Sequence, residues 1–157
     1  MDWSCSRQRA LVLASDPDLG APVSYLSKRA FADYGHAITL DPKNADAFND
    51  RCWDNAIIGQ LQAALADCNQ SLQLRPNDAN TLDSRGFTYL KLGQFDNAIA
   101  DYSTALKTNP KIATSLYGRG VAQLKKGDTT DGNADIAAAK AIRSDIADYM
   151  SGLGAPT

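Results

Sequence analysis

Apolar positions in the middle of the chain recur three and four residues apart, the period of a helix with one buried face. From Ala79 to Leu92, the apolar or small residues Leu82, Gly86, Tyr89 and Leu90 share such a face. Phe95, Ala98, Ile99, Tyr102, Ala105 and Leu106 make a second stripe, which predicts another helix over 95–107. Between them "KLGQF" breaks the pattern, with Gly93 suited to the left-handed conformation that follows a helix C-terminus. Pro110 ends the unit, because it has no donor and would clash with the preceding turn of a continuing helix. The Asp and Asn residues of "DPKNADA" and "RPNDAN" stand near the next helix starts, where their oxygens can cap free N–H groups.

This two-helix unit recurs. Pro42, Pro76 and Pro110 are spaced 34 residues apart, and the same register aligns Arg51 with Arg85 and Arg119, and Gly59 with Gly93 and Gly127. The pair Ala-Asp returns as Ala32-Asp33, Ala66-Asp67, Ala100-Asp101 and Ala134-Asp135. So many columns in one register predict a repeat array rather than one hairpin.

With these columns in view, the chain resembles the tetratricopeptide repeat (TPR) family. Residues 79–112 carry its pattern best, through Leu82, Gly86, Tyr89, Gly93, Ala98, Tyr102, Ala105 and Pro110. Residues 45–78 match through Phe48, Gly59, Ala64, Leu72 and Pro76, with Cys52 and Cys68 where the family favours a small residue and an aromatic one. Residues 113–144 form a degenerate copy, keeping Leu116, Gly120, Gly127 and Ala139 but placing Gly132 where Ala is usual and Ser144 where Pro is usual. The resemblance implies an all-α fold, a right-handed α-solenoid of antiparallel helix hairpins. Residues 1–22 read as irregular, since Pro17, Gly20 and Pro22 oppose a regular helix, with a short capping helix over 3–14. Residues 23–44 read as a half repeat consisting of its second helix, and 145–157 as a C-terminal capping helix and tail. The untidy start suggests truncation from a longer array.

Composition narrows the function. The 157 residues are 44% hydrophobic and 22% charged, with a net charge of -2, so no basic footprint points to nucleic acid. No apolar run approaches the roughly 18 residues of a membrane span. The sequence carries no readable address, which leaves the chain cytoplasmic as it stands.

Candidate chemistry is sparse. His36 is the only histidine, so neither a multi-His metal site nor a Ser-His-Asp arrangement can be assembled; it reads as a helix-surface or packing residue. "GDTTDGNAD", residues 127–135, is rich in Asp but fails the calcium-loop spacing, and helix capping explains it better. The single-glycine turns "KLGQF" and "KKGDT" are too poor in Gly to cradle a phosphate. Cys52 and Cys68 occupy columns that pair Gly86 with Tyr102 and Gly120 with Ile136, a small residue against a large one, which suggests that these columns touch. The two thiols read as packed small hydrophobes or, alternatively, as a disulfide, which would imply an oxidising compartment such as a periplasm. The recurring Arg and Ala-Asp columns read as structural, with Arg85 pairing with Asp67 or Asp101 across helices. No cluster of titratable residues breaks from the repeat, so the chain reads as no enzyme and needs no cofactor.

Function should then lie in positions that vary between copies. The resemblance implies that the first helix of each unit lines a concave groove for a partner's peptide or helix. Its residues would be Asn49, Asp50, Trp53 and Ile57, then Asp83, Ser84, Phe87 and Lys91, then Tyr117, Gly118, Val121 and Lys125. Trp53, Phe87 and Tyr117, one ring from each copy, read as an aromatic ladder between acidic and lysine rims, either a binding floor or packing between helices. The family's chaperone-binding members hold a carboxylate with Lys, Asn and Arg; Asp50 and Asp83 here would repel one. The expectation is a protein-interaction module for an apolar to mildly basic segment. The alternative is self-assembly, with the half repeat completed by another copy into a homo-oligomer.

Overall fold

The computed structural model describes residues 23–156, with side chains from residue 32 onward. These residues form eight helices and no strand: α1 (Val23–Leu40), α2 (Ala45–Ile57), α3 (Leu61–Leu74), α4 (Ala79–Lys91), α5 (Phe95–Thr108), α6 (Ala113–Lys125), α7 (Thr129–Ile142) and α8 (Ile146–Gly152). Helix α1 lies in a unit separate from the one that begins at Lys43. The expected capping helix over 3–14 falls outside the described residues.

From Lys43 onward the chain is an all-α helical-repeat solenoid of three antiparallel hairpins, α2/α3, α4/α5 and α6/α7, with α8 packed on α6 and α7. Each hairpin turns on the same device. Gly59, Gly93 and Gly127 have φ of +83°, +72° and +88°, the left-handed region where a Cβ is strained. Behind each, two N–H groups return to the end of the helix: Gly93 N donates to Leu90 O at 3.1 Å and Gln94 N to Tyr89 O at 2.9 Å. Asn44, Asp78 and Asp128 accept from the backbone N–H three residues on, capping α2, α4 and α7. This assigns Asp128 a capping role.

The repeating Arg column holds each hairpin closed. Arg51 pairs with Asp67, Arg85 with Asp101 and Arg119 with Asp135, each through two guanidinium–carboxylate hydrogen bonds. Arg85 also reaches back to Asn69 at 2.8 Å and Arg119 to Ser103 at 3.2 Å, tying each first helix to the hairpin before it. Consecutive first helices pack directly, α2 on α4 and α4 on α6, whereas consecutive second helices meet chiefly through the first helix between them. The array therefore curves with α2, α4 and α6 on its inner side.

Candidate functional site: the inner face of the first helices

The paired columns do touch, and one large ring sets the spacing. Tyr102 is fully buried. A Cβ on Gly86 would stand 2.8 Å from its ring, and one on Gly118 would overlap its hydroxyl end. A Cβ on Gly120 would likewise meet Ile136 at 2.8 Å. In the first hairpin the column is Cys52 against Cys68, and the structure joins them as a disulfide with Cα atoms 5.3 Å apart.

The inner face is more closed than an open groove. Trp53 and Phe87 pack against each other, ring centroids 5.1 Å apart and tilted by 38°. Phe87 is 1% exposed, and Asn49, Trp53, Ser84, Gly118 and Val121 are also buried. Tyr117 is half-buried against the cluster of Leu90, Tyr102 and Val121. Asp83, expected on an acidic rim, is 3% exposed. It accepts from Ser115 Oγ at 2.6 Å and Thr114 Oγ1 at 2.9 Å, linking α4 to α6. What remains at least partly accessible is Asp50, Ile57, Lys91, Tyr117 and the exposed Lys125.

Lys91 has the most distinctive setting. Its ammonium donates to Ala56 O at 2.8 Å and Ile57 O at 3.2 Å, carbonyls in the last turn of α2. It donates a third bond, at 3.2 Å, to Leu153 O just past α8, and it lies 5.4 Å from the Phe87 ring centre. Burial lowers its pKa from the ordinary lysine value, while burial pushes the Tyr102 phenol well up. Sequence reasoning placed Lys91 on a rim and missed its link to the tail. The available signal was Ile146, Met150 and Leu153, spaced four and three residues apart on a helical face; all three are buried.

His36 is exposed on α1. Among the described residues there is no group of three or more His, Cys, Asp or Glu side chains able to hold a metal ion, and no helix is long and apolar enough to cross a membrane.

Residues 86–127 match the family model described as TPR repeat. No curated protein matches the chain. Among solved structures, the MamA protein superposes with a TM-score of 0.65 at 23% identity, covering 84% of this chain and 69% of its own. MamA from Desulfovibrio magneticus gives 0.66 at 18%, over 83% and 79%. A thermophilic TPR protein of Thermus thermophilus gives 0.65 at 17%, over 83% and 80%. The family model thus identifies residues 86–127 as TPR repeat, and the helix hairpins, each closed by the same glycine turn and Arg–Asp pair, share the helical-repeat fold of these solved proteins.

Proposed function

We propose that this chain is a non-catalytic interaction module that binds a partner's apolar to mildly basic peptide or helix on the inner face of α2, α4 and α6. The observation that carries the reading is the direct packing of the three first helices. That packing supports reading the partly accessible Asp50, Ile57, Lys91, Tyr117 and Lys125 as one surface over the packed Trp53 and Phe87 rings. In this account residues 45–78, 79–112 and 113–144 are the repeats, 23–44 the preceding half repeat and 145–157 the cap. Rigid presentation matters because a partner then meets a surface already ordered, so less conformational entropy is lost on binding.

The test is a peptide-display selection on the immobilised protein, followed by affinity measurements with Ile57→Ser/Lys125→Ala. These side chains avoid the buried ladder, so the variant should keep its helical circular dichroism. An enriched motif that loses about tenfold or more on the variant supports the reading, since that loss equals about 1.4 kcal/mol of contact energy. No enriched motif, or one indifferent to the variant, overturns it. A concentration-dependent mass in the same preparations would favour self-assembly.

A further inference from the structure

We propose that the chain's own C-terminal segment, from Ile146 to Ala155, is a resident occupant of this inner face, and that a partner segment binds by displacing it. The inference rests on the groove reading above and names its regulation. Helix α8 packs on α6 and α7, the two neighbours a further first helix would have, but the residues after it turn back past α6 to reach α4 at Lys91. Its apolar stripe is Ile146, Met150 and Leu153, with exposures of 0%, 0% and 3%. Beyond it the backbone turns at Gly154, φ +75°, where a Cβ would stand 3.2 Å from the Lys91 amine. The same amine donates to the Leu153 carbonyl and also holds the end of α2. A single cation thus joins the tail to two first helices, across 62 residues of sequence.

This attachment is suited to exchange. A helix of seven residues has little stability apart from its packing, and the tail leaves no backbone ladder to break when it lifts. The competing ligand is specified by what it replaces. It is a short amphipathic helix of another protein with large aliphatic residues at i, i+4 and i+7, followed by a small residue that lets a carbonyl reach Lys91. An acidic face is not required, because the tail offers Lys91 a carbonyl rather than a carboxylate.

The experiment uses the full chain, a fluorescent peptide of residues 145–156 as probe, and hydrogen exchange. Leu153→Ser removes the apolar anchor, and Gly154→Val strains the turn and crowds the Lys91 amine. In both variants amide protection over 146–155 should fall, while protection in α4 and α6 persists. Because a tail that stays docked keeps most molecules closed to the probe, releasing it should tighten peptide binding about tenfold. Equal probe affinity for wild type and both variants, with the tail released, overturns the inference. So does loss of protection through α2–α7 in both variants, which would make the tail part of the core. Failure of the groove reading looks different: display-selected ligands would then bind neither the wild type nor the released variants.

Discussion

Tyr102 occupies its space at the expense of its hydroxyl. The ring fills the gap left by Gly86 and Gly118, but the oxygen is buried with no hydrogen-bond partner among the described residues. A buried hydroxyl without a partner costs roughly 1–3 kcal/mol, so Tyr102→Phe should leave stability unchanged or raise it by up to about that amount. Urea denaturation would read this, and a loss above about 1 kcal/mol would contradict it. Gly118→Ala should behave oppositely. Alanine is the better helix former by about 1 kcal/mol, but its methyl would collide with the Tyr102 hydroxyl end, and overpacking costs about 1–3 kcal/mol. Combining Gly118→Ala with Tyr102→Phe should recover part of the loss, since the two groups contend for one space. Arg85→Ala should cost about 2 kcal/mol, because it leaves the mostly buried Asp101 carboxylate without its cation. Adding Asp101→Ala in a thermal-melt cycle should restore part of that.

Within the elements, the hairpins close by different chemistry at one column. In α4/α5 it is Gly86 under an aromatic ring, and in α6/α7 Gly120 and Gly132 bring the backbones together, their Cβ positions falling within 2.9 Å of the opposite carbonyl. In α2/α3 it is the Cys52–Cys68 bond. A cross-link over a separation of 16 residues removes unfolded-chain entropy worth about 3 kcal/mol. Reductant should therefore lower the melting temperature of the wild type and leave Cys52→Ala/Cys68→Ala unmoved, as read by calorimetry. An equal response of the two proteins would argue against the bond. The helix limits were legible because they rest on local signals. Gly93 ends α4 by its backbone freedom, and Asp78 begins it by capping Thr81 N at 2.8 Å. The choice between two thiols and a disulfide was not legible, because it depends on how closely two helices approach.

Across the whole molecule, stability should be graded along the stack. Helices α4 and α5 have hairpins on both sides, whereas α8 has neighbours on one side only. In a one-dimensional array each unit is held by its neighbours, so amide exchange should be slowest in α4 and α5 and fastest in α8. Uniform exchange would mean that the stack opens only as a whole.

The 34-residue period, the helical stripes, the glycine turns and the Arg–Asp columns are all written in the chain. They act between residues close in sequence or between equivalent positions of successive units, so periodicity alone reveals them. The inner face was written there only in part. Asp50, Ile57 and Lys125 keep some of the accessibility expected of them, but Asp83 turned inward to two hydroxyls of the next repeat and Phe87 was covered. Lys91 met a carbonyl 62 residues away. Such contacts depend on the curvature that stacking produces and on where a non-repeating tail comes to rest. A repeat encodes its own neighbours; only the assembled stack determines which of its surfaces stay open.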